Sequence, residues 1–244
     1  MFIGSGTVIN VLTIIGGAGL GVVIGGRMPE RMRSLITDIL GLIAILGAAT
    51  ALAPIANTRY IDSLPSGWPL LAILASLLIG GVIGSALDLE RKLEGCGQYL
   101  RDRFKVKKDG TFVEGFLASS LLFVIGPLAI LGSISDGMGT GTDQLILKSS
   151  LDFFAAMAFA ASLGWGVAAS SIPVGIYQGL WTVAGFAVGN VLSGYQVDAM
   201  TIVGGLMLLS IALGLLKIKT IAIGNLLPAL AVAPILVGVL HQFA

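Results

Sequence analysis

GWGVAASSIP (Gly164 to Pro173) decides how often this chain turns back on itself. It lies in the middle of Gln144 to Ser193, 50 residues in which Lys148 and Asp152 are the only charged side chains. As one helix that segment would reach about 75 Å at 1.5 Å per residue, far beyond the roughly 30 Å of a bilayer's hydrocarbon core. Gly, Ser and Pro punctuate apolar patterns because they loosen or forbid the next helical turn. The cluster therefore predicts a break, with one helix before it and another after it.

Outside this segment the chain has the same character. Of 244 residues, 56% are hydrophobic and 11% charged, and mean hydropathy is +0.98. Soluble domains carry about a quarter charged residues, so the composition indicates a polytopic membrane protein in contact with the lipid bilayer. Apolar runs predict an all-α bundle of about eight spans: 6–26, 32–54, 68–88, 113–134, 145–163, 173–193, 198–216 and 221–241. The chain reads as a single membrane domain over 1–244: spans 1–3 in 1–89, a basic connector at 90–112, spans 4–5 in 113–172 and spans 6–8 in 173–244. The opening MFIGSGTVINVL has no basic n-region or small-residue cleavage site, which makes it a retained span rather than a leader.

Charge placement gives the orientation. Arg27, Arg31 and Arg33 follow span 1, seven Lys and Arg residues fall between spans 3 and 4, and Lys217 and Lys219 separate spans 7 and 8. With eight spans all three groups face one side, and basic loops stay cytoplasmic. The expectation is a bacterial inner or plasma membrane, both termini outside and the 90–112 connector inside. Within that connector, ERKLEGCGQYLRDRFKVKK suits either an interfacial helix against anionic headgroups or a charged loop that only fixes topology.

Two kinds of internal similarity compete. An offset of 168 places Asn10 on Gln178, Gly17 on Gly185 and Gly21 on Gly189, which makes spans 1–3 and 6–8 an inverted pair, the common build of secondary transporters. LGLIAILGA (Leu40 to Ala48) also matches IGPLAILGS (Ile125 to Ser133), which runs in the same direction.

Four blocks in order carry a family pattern: GTVINVLTIIGGAGLGVVIGG, FVIGPLAILGSISDG, KSSLDFFAAMAFAASLGWGVAASSIPVGIYQG and IGNLLPALAVAP. Together they resemble the bacterial YdfK/YqgA family, domain of unknown function 554, across nearly the whole chain. The resemblance implies an integral membrane protein. It supplies no site residues, so those have to come from the chain itself.

Asp152 and Lys148 stand four residues apart, on one face of span 5, with Ser149 beside them. Ionisable groups at membrane depth are costly and mark pathways and binding sites; the alternative is a structural pair near the outer interface, with Lys148 reaching the headgroups. Asn10, Gln178 and Asn225 are amides inside apolar runs, either binding groups or interhelical glue. Tyr177 is placed to line a pocket beside Gln178. Gly126 and Pro127 interrupt span 4 and would free backbone groups for a ligand, or only kink the helix.

These residues are the candidate substrate or ion site. There is no cofactor or metal motif, no HExxH, GxSxG or GxxxxGK[ST], and one terminal histidine, His241, so an enzyme is not expected. A net charge of +1 gives no footprint for nucleic acid. The function expected is secondary transport of a small solute, with coupling to an ion; the alternatives are a passive pore and a structural or assembly protein. Small-xxx-small spacing at Gly17/Gly21/Gly25 and Gly80/Gly84 suits helix contacts, within one chain or in a homo-oligomer.

Overall fold

The computed structural model describes residues 2–27, 29–103, 111–124, 127–188 and 192–243. They are helical, with no strand among them. In chain order the helices are α1 (Ser5–Gly25), α2 (Glu30–Leu52), α3 (Thr58–Ile61), α4 (Trp68–Ala86), α5 (Leu89–Arg103), α6 (Thr111–Val124), α7 (Pro127–Gly137), α8 (Asp143–Leu163), α9 (Gly166–Ala169), α10 (Ser171–Val188), α11 (Gly194–Leu215) and α12 (Pro228–Leu240). Among the described residues, six helices or helix runs are long and apolar enough to cross a membrane, and the bent pair α6–α7 makes a seventh candidate. The expected sixth span coincides with α10, whose 18 residues extend about 27 Å but which is not among these candidates.

The interruptions expected at Gly126–Pro127 and Gly164–Pro173 appear as changes of helix, while Pro234, whose ring would also interrupt a helix, lies inside α12. Span 4 is split between Val124 and Pro127, and its halves are bent by 63°. Gly126 itself lies outside the described residues, as do residues 104–110 of the basic connector. Gly164 takes φ +77°, a left-handed conformation that suits glycine, and closes α8. A 3₁₀ turn at Ile223–Leu226 precedes α12, which starts on Pro228.

The chain forms two compact units: residues 1–40 with 94–191, and 41–93 with 192–244. In the first, α1 lies along α8. A Cβ at Gly17, Gly21 or Gly25 would collide with the carbonyl oxygens of Phe153, Met157 and Ala161 respectively. Both series rise by four, so the two helices run parallel, backbone against backbone. Against α10 the same helix runs the other way: Thr7 meets Thr182, and a Cβ at Gly175 would meet Val11. The chain therefore reverses between α8 and α10, where GWGVAASSIP was read as a break.

In the second unit, Gly80 and Gly84 of α4 abut Ala229 and Asn225, an antiparallel contact with α12 and the turn before it. The residues of α2 after Leu40 pack antiparallel to α11, with Gly41 against Leu216 and Gly205 against Ala51. Both small-residue series are thus used within their own unit. Close approach of this kind is how membrane helices gain van der Waals contact when lipid offers no hydrophobic contrast.

Candidate functional site

The first unit buries a polar cluster at the level where its helices are longest. Asp152 is the tenth of 21 residues in α8, and Asn10 is the sixth of 21 in α1. The i, i+4 spacing brings Lys148 Nζ to Asp152 Oδ2 at 2.5 Å, and Asn10 Nδ2 donates to the same oxygen at 3.0 Å. Asp152, Lys148 and Ser149 are buried, and Asn10 and Gln178 have no exposed surface. Lys148 Nζ also lies 5.9 Å from the Phe123 ring centre, within cation–π range. The Lys148 ammonium is thus held inside the protein by a carboxylate, close to an aromatic face.

Gln178 lies on α10 near the level of Asn10. Thr7 faces Thr182 and Val11 faces Gly175, so Asn10 and Gln178 occupy the same level of α1 and α10. Both polar atoms of Gln178, together with Asn10 Oδ1 and Ser5 Oγ, are buried without a hydrogen-bond partner among the described residues. An unpaired buried polar atom costs about 1–3 kcal/mol. Folding alone gives no reason to keep several of them in one place.

The remaining candidates have local partners. Ser149 Oγ donates to the Leu145 carbonyl. Tyr177 packs edge-on against Trp181, ring centres 6.2 Å apart. Pro127 opens α7. Asn225 belongs to the second unit, where its Oδ1 accepts from Glu90 N at 2.9 Å while Glu90 Oε2 accepts from Gly224 N at 2.5 Å. That reciprocal pair caps the first turn of α5 and the start of the 3₁₀ turn.

Three polar contacts lacked a sequence signal. Asp136, at the end of α7, accepts from the Gly4 and Gly6 amides and caps α1 from 130 residues away. Arg59 forks onto Asp198 through Nε and Nη2. Hydrogen bonding to Asp198 raises the Arg59 guanidinium above its ordinary pKa, outweighing the desolvation that lowers it. Next to it, burial pushes the Tyr60 phenol up to about 12, and its hydroxyl donates to the Pro69 carbonyl. Spacing predicts partners within one helix, whereas these join residues whose proximity exists only in the fold.

Comparison with known proteins agrees with the helical, apolar character of the chain. It is 31% identical over 238 residues to the uncharacterized membrane protein YdfK of Bacillus subtilis (strain 168), covering 98% of this chain and 97% of that one. It is 31% identical over 232 residues to the uncharacterized protein YqgA of Escherichia coli (strain K12), covering 93% and 94%. No solved structure matches. Residues 5–238 match the family described as protein of unknown function (DUF554), and with two relatives aligned over nearly their whole lengths, the chain is a membrane protein belonging to that family.

Proposed function

We propose that this protein is a secondary transporter of a small solute, driven by an ion gradient. The observation that carries the reading is the buried cluster of Lys148, Asp152, Asn10 and Gln178, with amide atoms left unpartnered inside apolar helices. Buried ionisable groups in membrane helices line substrate and ion pathways. Breaks in such helices accompany binding sites in transporters, and here one interrupts the run from α6 to α7.

The same reading places the chain across the cell membrane eight times, termini outside and the basic connector inside. Helix directions support it: α1 and α8 are parallel, and α1 with α10, α2 with α11 and α4 with α12 are antiparallel, as eight alternating crossings require. The inverted relation of spans 1–3 to 6–8 belongs to this reading. No chemical transformation is assigned.

The test is a thermal-shift screen of purified protein in detergent against amino acids, organic acids, nucleobases, vitamins and metal ions, followed by uptake into vesicles. A ligand at 100 times its Kd stabilises by about 2.7 kcal/mol if it binds only the folded form. Saturable uptake that is lost in Gln178→Ala supports transport. Ion currents that do not saturate would replace it with a passive pore.

A further inference from the structure

We propose that the cavity between the start of α1 and the C-terminal half of α10 is the mouth of the solute site, and that its solute is a small uncharged molecule ending in a carboxamide or a lactam. This rests on the transport reading and names the substrate class of the same site.

The cavity holds about 520 Å³ and lies within the first unit. Ile3, Val183 and Phe186 give it apolar walls, and Thr7 and Thr182 give it hydroxyls. Gly179 lines it as well; a Cβ there would meet nothing within 4 Å, so the glycine leaves that side open.

The two hydroxyls lead to a buried amide. Thr182 Oγ1 donates to the Gln178 carbonyl at 2.9 Å, and Thr7 Oγ1 lies 3.4 Å from Thr182 Oγ1. An O–H···O bond is ordinarily about 2.5–3.0 Å long, so little holds the two threonines together. Gln178 stands four residues before Thr182 on the same face of α10, about 6 Å along the axis. Gly175, three residues further back, faces α1 as Thr182 does. Gln178 is therefore the next polar side chain beyond the threonine pair along that face.

The Gln178 amide sets the chemistry of the solute. It has no exposed surface, and neither Nε2 nor Oε1 has a partner among the described residues. A side-chain amide offers N–H donors beside a carbonyl acceptor. A ligand satisfies both at once by presenting a donor and an acceptor on one edge, as a carboxamide or a lactam does. An alcohol or an ether answers one of them and leaves the other buried and unpaired, which sites built on hydrogen bonds reject.

Charge narrows the class further. Among the described residues, no ionisable side chain lines the cavity. Asp136 has one carboxylate oxygen on the Gly4 amide and the other on the Gly6 amide, and Asp152 holds Lys148 Nζ. A charged solute would lose its water here and find no free counter-charge.

The experiment reads the melting temperature of purified wild-type protein in detergent against hexanamide and ε-caprolactam. The comparison compounds are hexan-1-ol, hexylammonium chloride and sodium hexanoate, the last at about pH 8, where its carboxylate is ionised. At least one amide gives a saturable rise, and each comparison compound binds about tenfold more weakly or worse, the cost of a buried group left unpaired. Gln178→Met loses the rise. Gly179→Val leaves the amide in place, fills the cavity and loses the rise too; if Gln178→Met does not fold, this variant decides. No saturable rise with either amide, or a rise that survives in either folded variant, overturns the proposal. So does equal binding of any comparison compound, which in the case of hexan-1-ol would make the cavity a groove for a lipid chain. Saturable uptake of another solute, with no response to the amides, keeps transport and ends this inference. Amide binding by a protein that carries no solute into vesicles does the reverse.

Discussion

The two units treat polar groups in opposite ways. In the second, Arg59–Asp198, Glu90–Gly224, Asn225–Glu90 and His241–Ser63 lie at or beyond the ends of helices, each with a partner. In the first, Asn10, Asp152 and Gln178 lie well inside helices of 18 to 21 residues, and some of their atoms have none. Pairing at helix ends fixes how helices start and meet, and little is left over for a ligand. Unpaired groups at depth lower stability, and are better explained by something they bind. The contrast can be broken by mutation, since each side of it predicts a different size and sign of effect.

The largest effect belongs to the buried pair. Asp152→Ala leaves the Lys148 ammonium without its carboxylate in the protein interior, and breaking such a pair by removing one member costs about 3–5 kcal/mol. Arg59→Ala in the second unit should cost about 1 kcal/mol, because the Arg59 side chain is 57% exposed. Denaturant or SDS titration of both variants measures the difference. Equal losses would mean that burial of the pair in the first unit does not set its energetics.

Next in size is the glycine contact. Gly21→Val forces α1 away from the Met157 carbonyl, and overpacking of this kind costs about 1–3 kcal/mol. Gly19→Val on the same helix meets open space and should change the melting temperature little. A matched loss at both positions would show that valine's helix propensity, rather than the parallel contact with α8, governs the result.

Much of this was legible from residue order. Breaks at Gly164–Pro173 and at Gly126–Pro127 follow from backbone chemistry, and the Lys148–Asp152 pair from a spacing of four. What α1 packs against was not legible, because GxxxG names a face and leaves its partner open; Phe153, Met157 and Ala161 carry no complementary mark. Asn225 read like Asn10, an amide in an apolar run. Only the fold distinguishes an amide that caps α5 from one whose oxygen stays unpaired. Asp136 was not legible either, since nothing near it in the sequence points to the first turn of α1.

The smallest effect separates the two amides most cleanly, because its sign changes. Gln178→Met replaces a fully buried amide with an apolar side chain of similar length, so two unpaired polar atoms disappear and the packing stays. A gain of about 1 kcal/mol follows, seen as a melting temperature higher by about 2–4 °C for a chain of this size. Solute binding should weaken in the same variant, the usual exchange of activity for stability at a site held against its folding preference. Asn225→Leu should lower stability instead, by about 1 kcal/mol, since the Glu90 amide loses its cap. If Gln178→Met were destabilising, Gln178 would hold a structural partner. The first unit would then resemble the second, with its polar groups serving the packing of its own helices.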